Sequence, residues 1–261
     1  MKKIFNEIVL LSLTFVILCG AGWLMNPYRL ADDDFSPSDI SNLIAWYDAS
    51  VGITLNGSDI SQWDDQSGNA NHVAQSTAAN QPFFNSSNSN FNNQATVDFD
   101  GAQEHLFRST FVGGAIAQPN TVFVVGKRND ADTGFQMMVD GVVSTARHVI
   151  YSNNSLWTFF AGNSLTGSAV DTNTHIFLGD FNTTNAHLYV DGGISDSLGD
   201  VGSNSMNGIA LGIDEAFLAS TALNGTIAEA GVYTRALTTT EQNNLGNSLA
   251  DKYGTTWTDI T

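Results

Sequence analysis

The sequence predicts an all-β sandwich, and three observations predict it. From residue 43 to about residue 222 the chain alternates short apolar segments with clusters of Gly, Asn, Asp and Ser, and no long helical period runs through it. Asp-Gly pairs at Asp140-Gly141 and Asp191-Gly192 offer the positive backbone angles that tight hairpins need. The one persuasive helix comes at the end, after the strands. Many short strands with regular turns and few helices fold as a sandwich or a barrel.

Taken in order, residues 31–38 (ADDDFSPS) form an acidic linker in which Ser36 or Ser38 can cap a single helical turn through Asp39. Candidate strands follow at 43–48, 97–99, 121–127, 136–140, 148–152, 157–161, 175–180, 186–190, 206–211 and 226–233. Residues 121–126 (TVFVVG) are apolar almost throughout, as in a central strand covered on both faces, whereas 187–191 (HLYVD) alternates and should keep one face wet. Phe99, Leu106 and Phe107 are expected between the sheets, with Trp46 and Trp63 also in the core. The polar tract 85–93 (NSSNSNFNN) reads as a long exposed loop. The closing helix spans 238–252: Thr238 and Glu241 stand at capping-box spacing, Leu245, Leu249 and Tyr253 make one apolar stripe, and Gly254 stops it. Arg235, just before it, carries a rigid fork of donors suited to clamping carbonyls or an acid.

Composition narrows the partners. The net charge is −17, from 26 acids against 9 bases, and such a chain repels phosphate backbones, so nucleic acid is excluded as a partner. Hydrophobic residues make up 42% and charged ones 13%, so solubility rests on Asn, Ser, Thr and Asp, in the manner of an exported β protein. The single cysteine, Cys19, lies in the N-terminal apolar segment, which leaves the domain to rely on core burial rather than cross-links.

The N-terminal segment stands apart. Lys2 and Lys3 precede the apolar run 8–25, the pattern of a signal peptide; its length, near the lower limit of the roughly 20 residues that cross a bilayer, also suits a membrane anchor. The expected organisation is a signal peptide or anchor at 1–25, a linker at 26–40 and one domain at 41–261, with the membrane touched only through the first segment. That places the protein outside the cell, secreted or surface-anchored. A start at Met25 would instead suit a virion protein.

Three stretches together carry a resemblance. Residues 43–80 couple a strand, a turn, a second strand and a Trp63-Asp64-Asp65 corner; VDFDG at 97–101 and LYVDG at 188–192 repeat a strand and an Asp-Gly turn; and Tyr233, Arg235, Ala236 and Leu237 lead into the closing helix. From about residue 41 to 254 the chain resembles laminin G-like domains of the concanavalin A-like lectin and glucanase superfamily. The resemblance implies a jelly-roll sandwich of two antiparallel sheets with one short C-terminal helix, and such domains often hold calcium at the sandwich rim.

Retaining glycoside hydrolysis needs two carboxyls about 5 Å apart, which the glucanase branch supplies as E-x-D-x-x-E on one strand; this sequence has no such triplet, so no hydrolase is expected. There is no G-x-S-x-G elbow, and the five histidines are scattered without zinc spacing. For calcium, which takes hard oxygen ligands, residues 129–134 (NDADTG) space two acids like the start of an oxygen-rich loop; the candidate ligands are Asp130 and Asp132, with Asp64, Asp65 and Asp214. For carbohydrate, the stretch 151–157 sets aromatics beside amides, making Tyr151, Asn153, Asn154 and Trp157 the candidate contacts. The leading expectation is a non-catalytic carbohydrate-binding or adhesion domain that takes a glycan or other surface polymer by shallow multivalent contact. Two alternatives stand beside it: a structural virion or filament protein that uses the fold for self-assembly or for packing against other virion proteins, and a divergent glycoside hydrolase.

Overall fold

The computed structural model describes residues 35–261, apart from 131–133 and 154. The signal or anchor segment, Cys19 and most of the linker lie outside the described residues. Among these, the strands are β1 (Leu43–Asp48), β2 (Ile53–Asn56), β3 (Asp59–Trp63), β4 (Val73–Ala74), β5 (Phe83–Asn88), β6 (Gln94–Asp100), β7 (Leu106–Arg108), β8 (Asn120–Arg128), β9 (Gln136–Asp140), β10 (Val149–Asn153), β11 (Leu156–Phe160), β12 (Ser164–Ala169), β13 (His175–Phe181), β14 (Ala186–Val190), β15 (Ser197–Gly199), β16 (Ile209–Leu211) and β17 (Asn224–Tyr233), followed by the helix α1 (Thr239–Tyr253).

All strand pairings are antiparallel, and they build one curled sheet that folds over as a sandwich. One layer runs β15–β14–β13–β8–β17, and the far side of β17 pairs with β1 along one half and with β6 along the other. The second layer runs β12–β11–β10–β9–β16–β7–β4. Strand β3 belongs to both, since it pairs with β5, the neighbour of β6, and with β4. The core fills the space between: Val122 and Val124 of β8, Phe177 and Phe181 of β13, Trp63, Phe99, Leu106 and Trp157 all point into it.

Strand β8 is covered on both faces, as its unbroken apolar run requires. Its alternate residues Phe123 and Val125 face outward into a second cluster with Ile176 and Leu178 of β13 and with Leu245, Leu249 and Tyr253 of α1. The helix is held at both ends as its sequence dictates. Thr238 accepts from the Glu241 amide at 3.3 Å while Glu241 accepts from the Thr238 amide at 2.9 Å, and Gly254 closes the helix in the left-handed region at φ 67°. Arg235 forks onto Glu241 at 2.6 and 2.8 Å and also donates to the carbonyl of Ala236 at 3.1 Å, which holds the Glu241 carboxyl down at about 2. A buried ionic network locks the helix onto the sheet. Glu229, 1% exposed in the middle of β17, accepts from Trp46 Nε1 (2.7 Å), Lys252 Nζ (2.7 Å) and Tyr253 Oη (2.7 Å), and Lys252 donates also to Asp48 (2.6 Å).

The structure departs from the sequence expectations at several points. The tract 85–93 is not a long loop: its first part belongs to β5, and a single helical turn at Ser89–Phe91 buries Phe91 edge-on against Tyr253, at 6.2 Å between ring centres. Phe84 packs on the core and pairs with Val97, so one apolar anchor carries a polar strand. Phe107 turns away from the interior and packs outside the second layer with Ala210 and Phe217. Asp191 and Gly192 take positive φ (58° and 76°) as expected. Gly141 does not; a side chain there would come within 2.8 Å of the Ala146 carbonyl, so the glycine is required by close approach of the 141–147 loop.

The Glu229 network yields a stability prediction. Lys252→Met removes the principal countercharge of a buried carboxylate and is expected to cost about 3–5 kcal/mol. Adding Glu229→Gln should restore most of that loss. Urea melts of the two variants check this, and equal destabilisation in both would show that the ion pair does not govern helix docking.

Candidate functional site

The β10–β11 hairpin separates the residues expected to meet a sugar. Directly paired residues share a face of the sheet, and here Tyr151 pairs with Thr158 while Ser152 pairs with Trp157. Tyr151 and Trp157 therefore point to opposite sides. Trp157 is 1% exposed and faces the core, where it meets Phe177 edge-on at 4.6 Å. It is not a surface platform; strand alternation places it inside. Tyr151 points outward but is 6% exposed, packed with Met137, Val149 and Phe160. The near-parallel ring of Phe135, 6.1 Å away, covers it and is itself exposed. Asn153 stands opposite Leu156 at the hairpin end, and Asn154 lies outside the described residues.

The acids expected to gather around calcium stand apart, each engaged by its own donors. Asp65 is buried and accepts from the amides of Trp46 (2.9 Å), Ser67 (2.8 Å) and Asn71 (2.9 Å) and from Ser67 Oγ (2.8 Å). Asp64 accepts from Gln62 Nε2 at 2.7 Å and lies 3.2 Å from His72 Nδ1. Asp130 is held by Arg128, by Asn224 Nδ2 at 2.6 Å and by Gln136 Nε2 at 3.1 Å. Burial pushes the Asp130 carboxyl up, but these donors and the guanidinium charge outweigh it, so the group stays below the usual carboxylate range. Asp214 caps the Leu218 amide at 2.9 Å, and Asp132 lies outside the described residues. Among the described residues, no group of three or more His, Cys, Asp or Glu side chains is assembled as a metal would need.

What the structure does assemble is an open groove on the outer face of β2, β3 and β4. A bulge at Ser61 lets Ser61 and Gln62 both point outward, while Ile60 and Trp63 stay in the core; Thr54 pairs with Gln62, and Gln62 with Ala74. The groove has a volume of about 390 Å³. Thr54, Asn56, Ser61, Gln62 and Ser76 line it, along with Ala74, and the buried Gln75 and Gln81 complete the lining. Every polar group in it is a neutral amide or hydroxyl. The amides are set in a chain: Asn56 Nδ2 donates to Gln81 Oε1 (2.9 Å), Gln81 Nε2 to the Gln75 carbonyl (2.6 Å), and Gln75 Nε2 meets His105 Nε2 at 2.7 Å. Gln75 Oε1 accepts from the Thr77 amide at 2.9 Å, so Nε2 is the end that faces His105 and the imidazole must accept there. His105 Nδ1 accordingly donates to the Gln103 carbonyl at 2.7 Å. Sequence reasoning missed this groove. Its signal was present as two amide- and hydroxyl-rich runs, 54–62 (TLNGSDISQ) and 74–81 (AQSTAANQ), but only the bulge and the pairing of three strands bring them together.

No family model matches the sequence, and no protein of curated function matches it. Solved structures do match in fold. A sialidase from Trypanosoma rangeli, in complex with sialic acid, superposes with a TM-score of 0.57 at 13% identity over 81% of this chain and 33% of its own, so the chain spans about a third of that enzyme. Domain 4 of AbnA, a GH43 extracellular arabinanase from Geobacillus stearothermophilus, in complex with arabinotriose, gives 0.54 at 14% identity over 81% of this chain and 98% of that domain. The receptor binding domain of botulinum neurotoxin D gives 0.57 at 10% identity over 79% and 52%. At such identities the likeness shows the fold alone: an all-β antiparallel jelly-roll sandwich.

Burial lowers the pKa of His105, and its bond to the Gln103 carbonyl offsets this only in part. The folded value thus lies below the unfolded value of about 6.5, so its stabilising contribution is complete above that pH and falls away as the pH drops through it. Thermal melts between pH 7 and 5 should show a shallower loss for His105→Asn than for the parent protein. Equal slopes would mean that the groove's amide chain does not depend on neutral His105.

Proposed function

We propose that the domain is a non-catalytic carbohydrate-recognition module displayed outside the cell or on a virus particle, and that the groove on β2–β4 is where it meets its glycan. The observation that carries this reading is the groove's lining. Saccharide hydroxyls both donate and accept, and the primary amides and hydroxyls of Asn56, Gln62, Thr54 and Ser76 do the same without imposing a charge. Support from fold is consistent: one structural neighbour carries arabinotriose and another sialic acid. The non-catalytic part of the reading rests on the absence of carboxylates among the lining residues, since glycoside hydrolysis needs a pair of them across the bond. Calcium has no part in this contact, because the lining offers amide and hydroxyl groups rather than the carboxylates calcium favours.

A glycan array followed by titration calorimetry tests the reading. Asn56→Ala and Gln62→Ala should each weaken binding several-fold to about tenfold, corresponding to roughly 0.5–1.5 kcal/mol per hydrogen bond lost, and Asn56→Ala should also lower the melting temperature slightly because it removes the donor to buried Gln81. Treatment with EDTA should leave affinity unchanged. Binding indifferent to both variants would remove the groove from the mechanism, and binding abolished by EDTA would restore calcium to it.

A further inference from the structure

We propose that the groove excludes acidic saccharides, with Phe83 at its end as the stacking surface for a sugar ring; this rests on the groove being the glycan site. The outer face of the sheet continues beyond the groove as a row of directly paired residues. Asn56 pairs with Asp59, Asp59 with Phe83, and Phe83 with Asp98. Paired side chains share a face, so all four look outward on the side the groove opens. Phe84, the next residue along, is turned into the core, which confirms the direction of Phe83. Two strand spacings separate Asn56 from Phe83, about 10 Å. Phe83 is 46% exposed, and Gln81, two residues earlier, is part of the groove lining. A sugar ring has an apolar face and a rim of hydroxyls. An exposed phenyl ring serves the first and the amide-lined groove the second.

The charges around the row decide the class of sugar. Asp59 and Asp98 flank Phe83 on either side, and Asp64 stands beside Gln62 at the other end of the groove. Glu104 lies in the same field: burial first, with Asp100, Asp59 and Asp98 adding to it, pushes its carboxyl up to about 7 against the bond it accepts from the Asp100 amide. None of the lining residues is basic. The row continues through Thr226 to Lys127, three strand spacings or about 14 Å from Phe83, which is beyond the screening length at physiological salt. Arg128, Arg147, Arg235 and Lys252 are each engaged with carboxylates elsewhere, and Arg108 donates from Nε to the Thr110 carbonyl at 2.8 Å. A uronic acid, sialic acid or sulfated ring over Phe83 would therefore meet two carboxylates, with no basic residue in the groove lining and none along the paired row short of Lys127. Asp98 itself is occupied by the hydroxyls of Thr96 and Thr226 and by Asn85 Nδ2, at 2.9 to 3.1 Å, so it stays where it is rather than swinging toward a ligand.

The test uses the purified protein with three probe sets of equal length: neutral gluco-, xylo- and arabino-oligosaccharides, oligogalacturonates, and glucosamine oligomers. Calorimetry should register binding by at least one neutral set and at least tenfold weaker binding by the acidic set. Phe83→Ala should weaken neutral binding about tenfold with an unchanged melting temperature, since the ring is exposed. Asp59→Asn should narrow the gap between neutral and oligogalacturonate affinity at low salt, and raised salt should narrow it in the parent protein. Tightest binding of the acidic set, or a Phe83→Ala variant that binds normally while Asn56→Ala does not, would overturn this selectivity and leave the groove as a glycan site. Failure of all three sets to bind would overturn the functional reading beneath it.

Discussion

A carboxylate with almost no access to water, Glu229, sits at the centre of the longest strand, and the arrangement of the rest follows from satisfying it. Its donors come from three parts of the chain: Trp46 on β1, and Lys252 and Tyr253 in the last turn of α1. Burial alone would drive its pKa up, and Lys252 works against that. A buried ion pair of this kind fixes geometry more surely than it adds stability, because a shifted helix would strand the charge. The helix is thereby placed over β8, β13 and β17, whose outward residues become a second core. The same placement leaves the outer face around β2, β3 and β5 uncovered by the helix, and that is where polar side chains and an exposed Phe83 are found.

How far this was legible in the sequence depended on whether the signal was local. The capping box of α1, its apolar stripe and its glycine stop all lie within seventeen residues, from Thr238 to Gly254, and the helix begins and ends where they put it. Strand β8 announced itself because both its faces are buried. Strands such as β5 (FFNSSN) and β12 (SLTGSA) carry no alternating pattern, and they exist because β6 and β11 offer them unpaired backbone groups. Trp157 illustrates the limit on the site. Nothing within residues 151–157 says which of Tyr151 and Trp157 faces the core; the register with β9 and the packing on Phe177 decide it. The groove is illegible for the same reason, since its two polar runs are ordinary loop-like sequence until β3 joins them.

The acids also needed their surroundings to be understood. A sequence rich in Asp suggests cation binding, yet the described aspartates that were candidates spend their oxygens on backbone amides, hydroxyls and amide side chains. Asp65 is the clearest case: with four donors around it, it ties β1 to the 65–71 turn and so fixes the end of β3. A carboxylate used this way organises irregular backbone without needing a countercharge, because several aligned N–H groups stabilise its charge. A chain with few bases can therefore hold many acids and remain folded. The net charge of −17 leaves acids in excess over bases, and the aspartates around the groove are part of that excess.

The groove's floor is rigid for a reason that affects binding. Each amide in the series Asn56, Gln81, Gln75 is oriented by its neighbour, and His105 anchors the series by accepting at its far end. Long polar side chains ordinarily lose rotamer freedom when they engage a ligand, at a cost of about 0.5–1.5 kcal/mol each. Here that ordering has already occurred on folding, so a sugar bound as proposed would meet donors and acceptors in fixed positions. The groove is nevertheless shallow and open, and neutral hydrogen bonds exchanged with water contribute only about 1 kcal/mol apiece. A single such contact is weak, which suits recognition of a repeating polymer or a crowded surface, where several copies of the domain engage at once and the effective concentration of each further contact is set by the first.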